Sequence, residues 1–367
     1  MTDIRTERLA KLIVEYSVKV KPGERIAITG TTIAEPLMLS LQSEVLKAGG
    51  HPHLVALFPE ADALMIREAN DEQLEYVNPL LKMIIEEFDG FIQVASEGNT
   101  RRLASVDPAR QGLRAQAMAT LYKRYSERLN AGELRILITL FPTHALAQEA
   151  EMSLREFEDF VYATTFCDTP DPVASWKKMH DEQQRLVDWL KGHKEVEVKG
   201  PNAEFKLSIE GRDFLNADGT LNMPSGEVYT SPVEDSVEGW VRFNYPCIYR
   251  GSVVNGVELK FEKGKVVEAK ADKGEAFLHQ MLEVDEGARY LGEFAIGTNK
   301  RIDRFIGHML FDEKMGDTIH MALGNGFSKV GGKNVSGIHW DMLSDMRDGG
   351  QIYVDGELFY DSGEFKV

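Results

Sequence analysis

The first half of the sequence alternates helical segments with short apolar ones, and this alternation restricts the fold more than any other feature. Apolar residues recur at helical spacing over residues 6–18 and again over about 34–47, where the glycines of AGG end the second helix. The segments KPGERIAITG and HPHLVALF follow these helices and predict strands, the first of them buried. Strand, helix and strand in succession predict a β-α-β unit with parallel strands.

The same alternation continues to about residue 141. Helices are predicted near 71–87 and 109–130, and each is followed by a strand, FDGFIQVAS and LRILITLF. Strands separated by helices in this way predict a parallel sheet covered on both faces. Two further helices, near 153–162 and 172–191, lead to a boundary at about Gly192. We therefore predict an N-terminal α/β domain over residues 1–192.

The second half of the sequence has a different residue pattern, which predicts a second domain over residues 193–367. Segments such as KEVEVKG, AEFKLSIEG, WVRFNYPCIY and QIYVDGELFYDSG alternate polar with apolar residues, are rich in β-branched types and are separated by Gly and Asn turns. One helix, about 273–282, interrupts them. The prediction is a β-rich α+β domain with antiparallel or mixed strands. A length of 367 residues agrees with two domains.

The segment GTTIAEP, which begins at Gly30, lies where a phosphate-binding loop would lie, between a predicted strand and a predicted helix. It contains neither the GxGxxG pattern nor the P-loop pattern. We therefore predict an ordinary strand-to-helix turn here and no nucleotide cofactor.

Composition excludes several classes of function. A formal net charge of -17 opposes binding to nucleic acid, whose phosphates attract clustered Lys and Arg. No apolar run approaches the roughly 18 residues that a membrane span needs. The N-terminal segment lacks the pattern of a secretion signal, so a cytoplasmic location is expected. The two cysteines, Cys167 and Cys247, form no CxxC pattern, and we interpret both as packed thiols.

Acidic residues and histidines are concentrated in a few short polar phrases of the second half. These phrases are PSGEVYTSP with Glu227, LGEFAIGTN with Glu293, LFDEKMGDTIHMALG with Glu313 and His320, and SGIHWDM with His339 and Asp341. Alternate residues of a strand point to the same side, so His339 and Asp341 can converge on one ion while Trp340 packs behind them. Imidazole with carboxylate suits zinc, manganese, cobalt or iron better than calcium.

The residues by themselves leave a second interpretation open. A His-x-Asp pair on a strand also occurs as a local salt bridge. Glu227 and Glu293 lie in apolar sequence, where an ionised carboxylate requires either a metal or a basic partner such as Lys314. Taken together, the phrases favour a metal site over separate ion pairs.

In combination, the phrases SGEV, LGEFAIGTN, LFDEKxGxTIHxALG and SxIHWDM resemble those of the thermophilic metalloaminopeptidases, the family of aminopeptidases T and S. The resemblance extends over most of the chain. It implies an exopeptidase with two divalent ions, zinc, cobalt or manganese, in the C-terminal domain, a homodimer, and peptide substrates with a free N-terminus.

The resemblance also implies roles for individual residues. Glu227, Glu293, His320, His339 and Asp341 correspond to the ligands of the family, and Glu313 is a further candidate ligand or base. Either Glu293 or Glu313 would carry the proton to the leaving amine. The family has a tyrosine seven residues beyond the first ligand histidine, where this chain has Phe327. A phenyl ring donates no hydrogen bond, so we expect Tyr229 or a metal ion to replace that hydroxyl, or the reaction to be slower.

Two other functions are compatible with these residues. His320, His339 and Asp341 could form the two-histidine, one-carboxylate triad of an iron-dependent dioxygenase that opens hydroxylated pyridine rings, a chemistry found on related folds. Alternatively, the loss of the tyrosine would leave a binding protein that retains metal and peptide without turnover. The additional carboxylates, Glu227 and Glu293, favour the peptidase, because a single-iron triad does not need them.

Overall fold

The computed structural model describes residues 3–58 and 60–367. Its α-helices are Ile4–Leu12 (α1), Glu35–Lys47 (α2), Ala61–Glu68 (α3), Asp71–Glu75 (α4), Pro79–Glu87 (α5), Pro108–Asn130 (α6), His144–Glu149 (α7), Leu154–Thr164 (α8), Pro172–Leu190 (α9), Glu275–Leu282 (α10) and Met309–Asp312 (α11). None of these helices combines the length and apolarity that a bilayer span requires.

The strands are Arg25–Thr31 (β1), His51–Leu57 (β2), Gly90–Ala95 (β3), Arg135–Leu140 (β4), Glu195–Gly200 (β5), Ala203–Ser208 (β6), Leu215–Ala217 (β7), Asn222–Met223 (β8), Glu227–Thr230 (β9), Glu238–Arg242 (β10), Cys247–Tyr249 (β11), Ser252–Val254 (β12), Glu258–Glu262 (β13), Lys265–Lys270 (β14), Leu291–Gly297 (β15), Thr318–Gly324 (β16), His339–Asp345 (β17), Gln351–Val354 (β18), Glu357–Asp361 (β19) and Glu364–Phe365 (β20).

Packing divides the chain into two compact units. One comprises Met1–Trp176 with Gly219–Pro224, and the other comprises Lys177–Asp218 with Ser225–Val367. The division falls inside α9, whereas the change in sequence texture lies near Gly192. The boundary at Gly192 stays a prediction about domain organisation.

The first unit is built on the predicted parallel sheet, in the order β2-β1-β3-β4-β8, with all neighbouring strands parallel. This confirms the α/β prediction for the N-terminal half. The central strand β1 is almost wholly buried, whereas the edge strand β2 is mostly exposed. The predicted helix over 71–87 is instead two helices, because Asn78 caps a new helix at Pro79 and the residue before a proline avoids helical geometry. The helices α3 and α7 were not predicted.

Three arginines of α6 hold the ends of the three helices that precede it. Their guanidinium groups donate hydrogen bonds to carbonyl oxygens at the C-terminal ends of α3, α4 and α5, through Arg110, Arg114 and Arg128 respectively. The last carbonyls of a helix have no partner within the helix, so these bonds satisfy groups that would otherwise be costly to bury. The single long helix thereby fixes the positions of three short ones.

We expect the Arg128→Met substitution to destabilise the first unit by about 3 kcal/mol, because it leaves two buried carbonyls without donors. Arg128 is buried, and its Nη1 lies 2.7 Å from the Ile85 carbonyl oxygen and 3.0 Å from that of Phe88. Urea unfolding followed by circular dichroism measures the change. The matched control is Arg124→Met, since Arg124 lies one turn earlier, is exposed and, among the described residues, bonds only to Glu127 of the same helix. Equal shifts in the two variants would contradict the role of Arg128.

Two large antiparallel sheets of the second unit share one core, and β11 and β12 form a separate two-stranded antiparallel sheet. An eight-stranded sheet has the order β14-β13-β10-β6-β5-β18-β19-β20, and a five-stranded sheet has the order β17-β16-β15-β9-β7. Apolar side chains of both sheets meet in the core, where the rings of Phe205 and Phe294 make an edge-to-face contact at 6.3 Å. Cys167 and Cys247, in different units, are both buried free thiols, as predicted.

Candidate metal centre

The candidate residues lie on one face of the five-stranded sheet. Along β9, β15, β16 and β17, alternate side chains point into the apolar core, and the intervening ones point to the opposite face. That opposite face carries Glu227, Glu293, His320, His339 and Asp341. Trp340 is buried in the core behind His339 and Asp341, as predicted.

Strand register places a glycine or alanine beside each of these side chains. Ala322 is paired with Glu293 on one side and with Asp341 on the other, and Ala295 is paired with His320. The partners of Glu227 and His339 are Gly297 and Gly324. Because facing side chains on paired strands are close neighbours, small residues here leave space between the carboxylates and imidazoles.

A β-bulge near Gly292 sets the orientation of Glu293. The register of β15 against β16 shifts between Leu291 and Glu293, so an extra residue is inserted and Leu291 and Glu293 point to opposite faces. A Cβ atom at Gly292 would lie 2.2 Å from the carbonyl oxygen of Asn325, a distance that no side chain tolerates. Glycine is therefore required at the position that directs Glu293 toward the candidate site.

The five side chains form two overlapping groups. Glu227, Glu293 and His320 offer donor atoms within 4.8 Å of one another, and so do Glu293, His339 and Asp341. Glu293 belongs to both groups: its Oε1 lies 3.6 Å from His320 Nε2, and its Oε2 lies 3.1 Å from His339 Nε2. The two oxygens of one carboxylate thus face different imidazoles.

Several donor atoms in this cluster are buried without a hydrogen-bond partner. They are Oε2 of Glu227, Oδ1 of Asp341 and Nδ1 of His320. Buried polar atoms are rarely left unpaired, and unpaired carboxylate oxygens are especially costly. Oxygen and imidazole donors without cysteine fit a divalent cation in an open, catalytic type of site, and do not fit a closed structural zinc site. The residues present therefore fit the metal ions that the sequence predicted.

In the metal-free cluster, protonated imidazoles balance the Glu293 carboxylate, whereas burial raises the pKa of Glu227. Burial alone would raise the pKa of Glu293, but hydrogen bonds from His320 and His339 lower it to about 2. Burial alone would lower the pKa of His339, but Asp341 and Glu293 raise it to about 11, and the pKa of His320 is also raised by Glu293. Without a metal, protons on the two imidazoles therefore supply the positive charge that bound cations would supply.

Glu313 lies outside both groups and contacts Lys314 instead. The carboxylate of Glu313 and the ammonium of Lys314 form an ion pair, and the Glu313 side chain is 19% exposed. Lys314 is fully buried, and its Nζ also lies 3.7 Å from Oε1 of Glu227. The sequence left open whether Glu227 has a metal ion or a basic residue as its partner. The structure contains the basic partner, Lys314, in addition to the cluster of candidate metal ligands.

Phe327 and Tyr229 stand beside the cluster. The Phe327 ring makes edge-to-face contacts with the rings of His339, at 5.2 Å, and Tyr229, at 5.3 Å. Burial, together with the Glu227 and Glu293 carboxylates, raises the pKa of the Tyr229 hydroxyl, which stays protonated at neutral pH. Ser231 positions the Phe327 loop, because its hydroxyl accepts a hydrogen bond from the Phe327 amide and donates one to the Gly292 carbonyl.

Sequence reasoning named the charged residues at this site but missed the small ones. The phrases EFAIG and HMALG have the same form: a ligand type, then alanine, then glycine at alternate positions, with apolar residues between them. That repeated pattern predicts a strand with two different faces. One face packs into the core, and the other carries small residues next to a charged residue. It was the available signal for Ala295 and Ala322.

An antiparallel sheet that presents carboxylates, imidazoles and small residues on one buried face is the setting of a metal-dependent enzyme. A family model described as thermophilic metalloprotease (M29) matches residues 2–365, so the chain belongs to that family and is a hydrolase. The resemblance drawn from the four sequence phrases is thereby confirmed.

Curated relatives cover most of the chain. Aminopeptidase 2 of Geobacillus stearothermophilus is 27% identical over 88% of this chain and 83% of its own length, and aminopeptidase T of Thermus thermophilus is 26% identical over 95% of each. The solved structure of wild-type AmpT from Thermus thermophilus aligns with a TM-score of 0.86, at 24% identity and 99% coverage of both chains. A 2,5-dihydroxypyridine dioxygenase from Pseudomonas putida KT2440 aligns with a TM-score of 0.57, at 13% identity, over 98% of this chain and 96% of its own. At these identities the structural likeness shows a shared fold.

Proposed function

We propose that this metalloprotease is an aminopeptidase that holds two divalent cations, zinc, cobalt or manganese, between Glu227, Glu293, His320, His339 and Asp341. Its substrates are peptides with a free N-terminus. The names of the curated relatives support the aminopeptidase activity, and the donor set supports the cations. When bound, such a pair of ions polarises a peptide carbonyl and lowers the pKa of a water molecule toward neutrality.

The position of Glu293 carries this proposal. Its two oxygens face two imidazoles that belong to different groups, at 3.6 Å and 3.1 Å. Glu293 would therefore belong to the donor sets of two cations, whereas a single cation would need only one of the groups. The same arrangement is unfavourable for a single-iron dioxygenase, because Glu293 lies between the two histidines that such a triad would combine.

The remaining residues have roles that follow from their positions. We assign proton transfer from water to the leaving amine to Glu313, because both Glu293 oxygens face imidazoles, whereas Glu313 lies outside both groups and is partly exposed. We assign hydrogen bonding to the substrate carbonyl to the Tyr229 hydroxyl. The carboxylates of the cluster provide negative charge for a substrate α-amino group, which favours removal of the first residue.

Metal removal tests the proposal. We expect protein purified without chelators to contain about two divalent ions per chain and to hydrolyse aminoacyl-anilides. Dialysis against a chelator should abolish the hydrolysis, and addition of zinc, cobalt or manganese should restore it. The matched control substrates are the N-acetylated anilides, which lack a free amine and should not be cleaved. A metal-replete protein that cleaves none of a broad panel of free-amine substrates would refute the proposal.

The proposal includes a homodimer in the cytoplasm, as the sequence resemblance implies. Light scattering tests the assembly, because a mass near that of one 41.2 kDa chain would refute the dimer. Cell fractionation tests the location.

A further inference from the structure

Lys314 is a fully buried lysine that the proposed reaction does not use. Its side chain is 0% exposed and has two acidic partners, Glu313 and Glu227. Its backbone is also held, because the Lys314 amide donates to the Phe311 carbonyl and the Lys314 carbonyl accepts from the Asn299 amide. A buried ammonium is costly unless it is paired, and the Glu313 and Glu227 carboxylates pair this one beside the candidate metal centre.

The charge of Lys314 makes the two donor groups unequal. We name Glu227, Glu293 and His320 the inner group, and Glu293, His339 and Asp341 the outer group. In the inner group, Nζ of Lys314 lies 3.7 Å from Oε1 of Glu227. In the outer group, the ion-pair partners of Glu293 and Asp341 among residues 3–58 and 60–367 are histidines only. The outer group is also more open, since the His339 side chain is 30% exposed and that of His320 only 1%.

The two oxygens of Glu227 have different surroundings. Oε1 faces Lys314, whereas Oε2 is buried without a hydrogen-bond partner and lies 3.4 Å from His320 Nε2. Lys314 thus pairs with Oε1 of Glu227, while Oε2 stays directed at the other members of the inner group. A cation there would be attracted by Glu227 and Glu293 and repelled by Lys314 at short range, in surroundings of low dielectric constant.

We propose that Lys314 is a positioning residue that restricts Glu227 to binding a cation through Oε2 and weakens cation binding at the inner group. The outer group therefore loads first, and the inner group loads second, with an affinity about 10- to 100-fold lower. This inference rests on the proposed two-cation function.

Cobalt(II) binding to metal-free protein at constant pH, followed by visible absorption and calorimetry, tests the order. We expect two resolved steps. The His320→Ala variant, which removes an inner donor, should lose the weaker step and keep the tighter one, and His339→Ala should lose the tighter step. Loss of the tighter step in His320→Ala would overturn the inference, whether or not any Lys314 variant folds.

Substitution of Lys314 tests its part directly. Lys314→Met removes the charge and keeps an unbranched side chain, so we expect the weaker step to tighten by about 10-fold or more and approach the tighter one. Lys314→Arg keeps the charge and should retain two steps. The matched control is Lys300→Met, since Lys300 is 61% exposed and pairs with Asp317 outside both groups.

The outcomes separate this inference from the proposed function. A folded Lys314→Met protein whose weaker step is unchanged or weakened would overturn the inference alone. Two steps of equal affinity in the unaltered protein would do the same. Binding of fewer than two cations by the unaltered protein would refute the proposed function as well.

Discussion

The Glu293→Gln variant is expected to lose most of its bound metal and to lower kcat/KM by at least about 1000-fold. Glu293 is 5% exposed and is the one residue that both donor groups share. The substitution keeps the shape of the side chain and removes its negative charge from both cation positions at once. Loss of a residue that only hydrogen-bonds to a metal ligand lowers metal affinity by about 10- to 100-fold. Loss of a ligand that both groups share should therefore have a larger effect.

Metal analysis and anilide hydrolysis measure both consequences in the same preparation. The matched control is Glu357→Gln, the same chemical change at an exposed position of the second unit. It should retain the metal content and activity of the unaltered protein. A Glu293→Gln protein that folds, keeps two ions and hydrolyses substrate within a few-fold of the unaltered rate would show that Glu293 is not a shared ligand of two cations.

The Tyr229→Phe variant should lower kcat by about 100- to 1000-fold with little change in KM, as expected for loss of one donor to a developing oxyanion. The raised pKa keeps the Tyr229 hydroxyl protonated, and it makes no hydrogen bond to any residue that the structure describes. It is therefore free to donate to a substrate. The ring contact at 5.3 Å places Phe327 beside it, so a hydroxyl on either ring could serve the same oxygen.

A rescue experiment separates these two aromatic residues. We expect Phe327→Tyr in the Tyr229→Phe background to recover part of the lost activity, and Phe327→Tyr alone to equal or exceed the unaltered enzyme. The control is Tyr353→Phe, which removes a hydroxyl from β18, a strand of the other sheet, where it bonds to Gln351. Unchanged kcat in Tyr229→Phe would exclude Tyr229 as the donor. Tight peptide binding without cleavage in every version would favour a binding protein.

Much of the fold of the first unit could be predicted from local sequence patterns. The strands β1 to β4 and the helices between them have periodicities that show which faces are buried, and parallel order follows from the helical crossovers. The prediction was wrong where short-range chemistry interrupts a periodic pattern, as at Asn78 and Pro79. The helix α3 was missed, because it buries Ala63 and Ile66 but leaves Leu64 exposed, so its apolar residues do not mark a single buried face.

In the second unit, the sequence named the candidate ligands without showing how they meet. The outer pair, His339 and Asp341, follows from strand alternation within one segment. The inner pair, Glu227 and His320, are 93 residues apart (320 − 227), and no local pattern brings them to one side of a sheet. No local pattern predicted the bulge at Gly292 either. Glycine is required there because the carbonyl oxygen of Asn325, on another segment, leaves no space for a side chain.

The amino-acid order by itself determined the fold classes, the family and the chemical types at the candidate site, because periodicity and short phrases are properties of neighbouring residues. Only the tertiary structure decided which carboxylate is shared, which lysine is buried beside Glu227, and that Glu313 lies outside both groups. Those facts depend on strand register and on the packing of distant segments, since a one-residue change of register turns every side chain of a strand to the opposite face.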